Sequence, residues 1–134
     1  MLRILLAEDN PGDVSLVREA LRTSIACDLV VACDGEETLS YLRSQQFDLV
    51  ILDLNLPKCD GHAILHLHGG PAGNSPIVVF SSSFRQTDRE MALAIGAKEY
   101  VVKPTELEAF MQAVQGIVER WGNQSASEAV SGGG

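Results

Sequence analysis

Residues 47–57 have the sequence FDLVILDLNLP, and its apolar centre is the clearest indication of fold in the chain. The four apolar residues in succession at 49–52 favour a short strand that is covered on both faces. Strands of this kind occur in parallel sheets with helices on either side, whereas antiparallel strands usually alternate apolar and polar residues. The run ends at Asp53, so an acidic side chain is predicted at the carboxyl end of a buried strand.

Similar apolar segments recur along the chain and alternate with segments of helical periodicity. The five strands predicted in this way cover residues 2–7, 29–32, 47–52, 77–80 and 100–102. Each strand is followed by a helical segment. This alternation predicts an α/β domain with a doubly wound, five-stranded parallel sheet and five helices on its two faces.

Capping residues indicate where several helices begin. Asn10 before Pro11 predicts the start of the first helix, and Asp34 predicts the start of the second. Thr87 and Thr105 are each followed three positions later by a glutamate, so two capping boxes predict the starts of the fourth and fifth helices. The fifth helix is expected to bury an apolar stripe that consists of Leu107, Phe110, Met111, Val114, Val118 and Trp121.

Length and composition predict one globular domain of 134 residues, with 46% hydrophobic residues. The net charge of −8 argues against binding to nucleic acid or to an anionic membrane, both of which favour clustered basic residues. No apolar run approaches the roughly 20 residues of a membrane span, and no cleavable signal pattern follows Met1, so a cytoplasmic location is predicted. Residues 1–121 are predicted to form the domain, and the Gly- and Ser-rich residues 122–134 are predicted to form a flexible tail.

Cysteine spacing predicts free thiols. Cys27, Cys33 and Cys59 are an odd number without a C-x-x-C pair, which fits neither a zinc site nor a disulfide framework.

Polar residues follow the predicted strands at the positions where a parallel α/β sheet binds its ligands. They are Glu8, Asp9, Asp53, Asn55, Ser81 and Lys103. Carboxylates gathered at one edge of a sheet repel each other unless a cation is present. Oxygen ligands without histidine or cysteine favour a hard cation, so Mg²⁺ is the predicted cofactor.

The chain resembles the CheY-like receiver domains of two-component response regulators across residues 2–121. The matching segments, in order and at similar spacing, are residues 5–10, 49–57, 60–61, 76–81, 96–97 and 100–104. The resemblance implies a flavodoxin-like strand order of 2-1-3-4-5. Residues 10–13 and Trp121 further resemble the stand-alone regulators that accompany phytochrome-type histidine kinases.

The resemblance implies a role for each polar residue at the strand ends. Asp53 is the implied phosphoacceptor, Lys103 pairs with Asp53 or its phosphate, and Ser81 donates its hydroxyl to a phosphoryl oxygen. The implied Mg²⁺ ligands are Asp9 directly, Glu8 through water, Asp53, and Asn55 through its backbone carbonyl.

Two further expectations and two departures accompany the resemblance. Tyr100 is the implied switch side chain, which moves inward when Ser81 is drawn to the phosphate, and the Lys103–Pro104 bond is a candidate cis peptide. Ser81 occupies a position where threonine is common in this family. Thr105 replaces the phenylalanine that often follows Lys-Pro in the family, so partner contacts usually made by that ring are in doubt.

The implied function is that of a signalling switch rather than an enzyme. Its phosphoryl donor would be a sensor histidine kinase or a phosphotransfer protein, and its output would pass to a downstream protein target. A homodimer through the fourth helix, fifth strand and fifth helix is a further expectation.

Two other functions remain open. A magnesium-dependent aspartyl-nucleophile phosphatase would also carry an aspartate at a strand end, but the position of its general acid is occupied by Asn55, which cannot transfer a proton. A receiver-like scaffold that is never phosphorylated would usually lack part of the acidic group. His62 and His66 could present two metal ligands on one helix face, but no third ligand is evident, and His68 points elsewhere on that helix.

Overall fold

A computed structural model describes residues 2–22, 26–67 and 75–122 of the chain. The strands are β1 (Leu2–Ala7), β2 (Cys27–Ala32), β3 (Leu49–Leu52), β4 (Ile77–Ser81) and β5 (Glu99–Val102). The helices are α1 (Pro11–Arg22), α2 (Gly35–Ser44), α3 (Gly61–Leu67), α4 (Gln86–Ile95) and α5 (Leu107–Ile117), and a π-helical turn, Val118–Gly122, follows α5. Gly122, the first residue of the predicted tail, is buried in this turn and belongs to the domain. The rest of the predicted tail (residues 123–134) and the predicted position of His68 lie outside the described residues.

The five strands form one parallel sheet in the order β2-β1-β3-β4-β5. This confirms the predicted α/β class and the strand order that the resemblance implied. β1 and β3 lie side by side in register, with Ala7 opposite Leu52. The chain segments that follow these two strands therefore leave the sheet at the same edge.

Alternate residues of the central strands face two separate hydrophobic cores. Leu5 and Val50 belong to a core on one face of the sheet, which includes residues of α2, α3 and α4. Ile4 and Leu49 belong to a core on the other face, which includes residues of α1 and α5. The unbroken apolar sequence of β3 follows from this arrangement, because both faces of the strand are buried.

Side-chain caps begin the first two helices as predicted. Asn10 Oδ1 accepts hydrogen bonds from the N–H groups of Gly12 (2.8 Å) and Asp13 (3.2 Å). Asp34 Oδ1 accepts from the N–H of Glu37 at 2.7 Å. These bonds satisfy backbone donors that have no partner within the helix.

Both capping-box predictions for the later helices are wrong. α4 is preceded by Arg85, so Thr87 lies inside its first turn, and the neighbouring Asp88 accepts a hydrogen bond from the Ser83 hydroxyl instead. α5 is preceded by Glu106 rather than Thr105. Neither helix has a side-chain hydrogen bond at its N-cap.

The predicted apolar stripe of α5 is buried only beyond its first turn. Phe110, Val114 and Val118 are buried, but Leu107 is 58% exposed, contrary to the prediction. Trp121 packs on the same core and donates its indole N–H to Glu99 at 2.8 Å, so it is held within the domain.

The three cysteines are free thiols, as predicted. Among the described residues, no helix is both long enough and apolar enough to cross a membrane.

Candidate functional site

The ends of β1 and β3 bring three carboxylates together. Glu8 and Asp9 directly follow β1, and Asp53 directly follows β3, where its N–H donates to the carbonyl of Ala7 at 3.0 Å. One carboxylate oxygen from each of the three residues lies within 4.8 Å of the other two. Glu8 and Asp53 are buried, whereas Asp9 is exposed. We call these three residues the acidic cluster.

Lys103 reaches this cluster from the end of β5. Its ammonium group donates to Glu8 at 2.6 Å, to Asp13 at 2.9 Å and to Asp53 at 3.0 Å. The backbone N–H of Lys103 is held by the carbonyl of Ser81 at 2.8 Å, which fixes the base of the side chain. One long side chain thus contacts three carboxylates that come from two strand ends and a helix.

The cis-peptide prediction for Lys103–Pro104 is wrong. No cis bond occurs in the described ranges, which include both residues. The side chain reaches the acidic cluster with a trans bond at this position, because its four methylene groups are long enough to extend past the end of β4.

Burial and the ion-pair contacts shift the pKa of Glu8 in opposite directions, and the same is true for the pKa of Lys103. Burial, with a further contribution from the charge of Asp53, raises the pKa of Glu8 from 4.5 to about 7, although hydrogen bonding to Lys103 opposes the rise. Burial alone would lower the pKa of Lys103, but its bonds to Glu8 and Asp13 outweigh this, and its pKa is raised. A single ammonium cannot neutralise the whole group of carboxylates. The negative charge on the buried Glu8 is therefore destabilised, and its pKa is the one that rises.

The acidic cluster fits a hard divalent cation. Its donors are carboxylate oxygens close enough to share one ion, and the exposed Asp9 leaves one side open to water. Three carboxylates contact the single Lys103 ammonium, and Asp9 adds a fourth carboxylate to the site, so the ionised group has excess negative charge. The residues that could hold Mg²⁺ are therefore Glu8, Asp9 and Asp53.

Asn55 lies at the rim of the site and is exposed. Its backbone N–H donates to Asp53 Oδ1 at 3.1 Å, which ties the segment after β3 to the Asp53 side chain. The use of its backbone carbonyl as a metal ligand stays a prediction.

A cavity of about 560 Å³ opens above the acidic cluster and Lys103. Ser82 lines this cavity, whereas Ser81 is fully buried and is not among the lining residues. The Ser81 hydroxyl oxygen accepts from the N–H of Ser83 at 3.2 Å. The role of Ser81 toward a phosphoryl group therefore stays a prediction.

Sequence reasoning missed two residues of this site, Asp13 and Ser82. Asp13 lies in the first turn of α1, three residues after the capping Asn10, so a carboxylate there points back toward the strand ends. The spacing of three residues between Asn10 and Asp13 could therefore have indicated this carboxylate from the sequence. Ser82 follows Ser81 directly, and only the three-dimensional path of the chain distinguishes which of the two faces the cavity.

The α3–α4 side of the site contains Tyr100, His62 and His66. Tyr100 is buried, and its hydroxyl donates to the carbonyl of Ser83 at 2.8 Å, so its ring is already inside the domain. His62 is half-buried and its Nε2 lies 3.3 Å from Asp88, whereas His66 is exposed. Within the described part of the chain, neither histidine belongs to a group of three possible metal ligands.

Comparison with known protein families identifies the class of protein. The model of the response regulator receiver domain matches residues 4–115, and the chain belongs to this family. Its strand order and acidic cluster agree with that assignment.

Individual curated relatives are response and transcriptional regulators. The chain is 34% identical over 128 residues to response regulator Rcp1 of Synechocystis sp., covering 88% of this chain and 87% of Rcp1. It spans about half the length (49%) of another curated relative, the probable transcriptional regulator ycf27 of Porphyridium aerugineum, with 32% identity.

Two solved structures are close in fold. The phosphorylated cyanobacterial phytochrome response regulator RcpA matches with a TM-score of 0.83 and 35% identity, over 90% of this chain and 93% of that one. The Mn²⁺-bound form of Rcp1 matches with a TM-score of 0.83 and 31% identity, over 92% of this chain and 96% of that one.

Proposed function

We propose that this chain is a phosphorylation switch in which Asp53 accepts a phosphoryl group in the presence of Mg²⁺. The observation that carries the proposal is the position of Asp53, which is buried at a strand end, 3.0 Å from the Lys103 ammonium and beside two further carboxylates. Similarity to phosphorylated RcpA and to Mn²⁺-bound Rcp1 supports the same assignment.

The transfer requires one bond to form and one to break. A carboxylate oxygen of Asp53 attacks the phosphorus of a phosphohistidine, the P–N bond breaks, and the imidazole nitrogen leaves with the bonding electron pair and takes up a proton. The product is an acyl phosphate on Asp53. Hydrolysis by water would later release inorganic phosphate and return the carboxylate.

Charge compensation is the main task of the site in this reaction. Lys103 stays protonated, because its pKa is raised, and it can follow the negative charge from the carboxylate to the phosphoryl oxygens. Bound Mg²⁺ would supply further neutralisation of the transferring phosphoryl group. Glu8, Asp9 and Asp53 would hold the ion, with Asn55 contributing its backbone carbonyl. Ser81 or the cavity-lining Ser82 would donate to a phosphoryl oxygen.

A switch function fits the site better than a phosphatase function. A phosphatase of the aspartyl-nucleophile class needs a general acid near the leaving group, and the amide of Asn55 cannot supply a proton. A scaffold that is never phosphorylated would not need a lysine buried among carboxylates. Burying these charges carries a desolvation penalty, which a functional role would explain.

The proposed phosphoryl donor is a sensor histidine kinase or a phosphotransfer protein, and the output is contact with another protein. Resemblance to the phytochrome response regulator RcpA supports a kinase of the phytochrome type. The proposed contact face consists of α4, β5 and α5, where Met91, Val102 and Leu107 are exposed apolar residues. A second copy of this chain is one candidate for binding there.

Incubation with acetyl phosphate and Mg²⁺, followed by intact mass measurement, tests the proposal. Wild type should gain one phosphate, and Asp53→Asn should gain none while keeping its fold by circular dichroism. Asp28→Asn is the matched control, because Asp28 is an exposed carboxylate on β2. Equal phosphate gain by Asp53→Asn would exclude Asp53 as the acceptor, and no gain by wild type would favour the scaffold.

A further inference from the structure

Ser83 connects the phosphoryl site to three other parts of the molecule. It lies between β4 and α4, next to the cavity-lining Ser82. Its N–H donates to Ser81 Oγ at 3.2 Å, its hydroxyl donates to Asp88 Oδ2 at 2.6 Å, and its carbonyl accepts from the Tyr100 hydroxyl at 2.8 Å. These three contacts hold the backbone directly next to Ser82.

Asp88 links Ser83 to helices α4 and α3. It lies in the first turn of α4 and accepts from Ser83, while its other oxygen lies 3.3 Å from His62 Nε2 on α3. The hydrogen bond from Ser83, and then the one with His62, lower the pKa of Asp88, with a small contribution from Arg85. Asp88 is therefore a carboxylate at neutral pH and holds both donors at once.

His62 has an unusual environment. Its side chain is only 14% exposed, and in the described part of the chain its buried Nδ1 has no hydrogen-bond partner. Because the Asp88 carboxylate can only accept, the Nε2–H of His62 donates to it. The His62 ring is therefore directed at Asp88.

We propose that Asp88 and His62 are positioning residues for the phosphoryl site, an inference that rests on the function proposed above. They act through Ser83 on Ser82 and do not contact the reacting atoms. The acidic cluster follows β1 and β3, and among the described residues none of its hydrogen bonds involves Ser83, Asp88 or His62. Loss of the Asp88 contact should therefore weaken capture of a phosphoryl group but leave metal binding unchanged.

Beryllofluoride, a phosphoryl analogue, separates these two properties. We expect Asp88→Asn and Ser83→Ala to lower beryllofluoride affinity at saturating Mg²⁺ by about tenfold, as loss of a hydrogen bond to a charged group predicts. Mg²⁺ affinity measured without beryllofluoride should stay within about twofold of wild type. Glu90→Gln is the matched control, because Glu90 is on the same helix and contacts only the exposed Gln86 among the described hydrogen bonds.

The imidazole nitrogen NMR signals of His62 provide a readout that a purely structural role would not change. In wild type, adding beryllofluoride and Mg²⁺ should shift the Nε2 signal of His62, while the exposed His66 serves as an internal reference. The shift should be lost in Ser83→Ala, which keeps both His62 and Asp88.

The possible results distinguish the positioning role of Asp88 and His62 from the proposed phosphoacceptor function. Wild-type beryllofluoride affinity in both variants, equal losses of beryllofluoride and Mg²⁺ affinity, or an unmoved His62 signal would overturn the positioning role while the phosphoacceptor function stands. Failure of the wild-type protein to bind beryllofluoride would instead overturn the proposed function itself.

Discussion

Replacement of Lys103 by methionine should strongly destabilise the metal-free protein near neutral and alkaline pH. The change removes a charge but keeps a side chain of similar length and apolar volume. In the wild type this ammonium lies 2.6–3.0 Å from Glu8, Asp13 and Asp53, and its side chain is only 9% exposed. Without it, no cation in the described part of the chain pairs with the buried Glu8 or Asp53.

The magnitude follows from the burial of these partners. Removing one member of a buried ion pair typically costs about 3–5 kcal/mol, because the remaining charge is left without compensation. Glu8 and Asp53 are only 3% and 8% exposed at their side chains, so we expect a loss in this range near pH 8. The loss should shrink below pH 6, because Glu8, whose pKa is already raised to about 7, takes up a proton instead.

Urea unfolding followed by circular dichroism, in the presence of a chelator, measures this loss. Lys58→Met is the matched control: Lys58 is 59% exposed and pairs with Asp34 at 3.5 Å, so its removal should cost at most about 1 kcal/mol. Saturating Mg²⁺ should restore part of the stability of Lys103→Met. Equal stability of the two variants near pH 8, or a loss unaffected by Mg²⁺, would refute this account of the site.

Three further predictions concern pH, the metal and the proposed contact face. Because the pKa of Glu8 is about 7 in the folded protein and 4.5 otherwise, the folded state binds more protons between these values. The free energy of unfolding of the metal-free protein should therefore fall by about 3 kcal/mol as pH rises through this window, and urea titrations should show that Glu8→Gln removes the fall. Asp9→Ala should weaken Mg²⁺ binding in calorimetric titration while leaving metal-free stability equal or higher, since it removes like-charge repulsion; unchanged Mg²⁺ affinity would exclude Asp9 as a ligand. Sedimentation with beryllofluoride should show a dimer that Met91→Glu abolishes and Arg43→Glu on α2 does not, whereas a monomer in every sample would argue against self-association.

The interior of the fold could be predicted from short stretches of sequence. The apolar run of β3 and the caps at Asn10 and Asp34 involve residues within four positions of each other, so their chemistry is visible along the chain. The starts of α4 and α5 were not predictable in this way. α4 begins after Arg85, and Ser83, which lies outside the helix, donates to Asp88 in its first turn, a contact that the local capping pattern does not indicate.

The sequence by itself determined the α/β alternation and the set of polar residues at the strand ends, because parallel strands deliver their carboxyl ends to one edge of the sheet. Only the tertiary structure decided how these residues meet. The bonds from Lys103 to Glu8 and to Asp53 join residues 95 and 50 positions apart, and the contact between His62 and Asp88 joins residues 26 positions apart. Such contacts depend on distances of a few ångströms between separate elements, which packing sets and which no local pattern encodes.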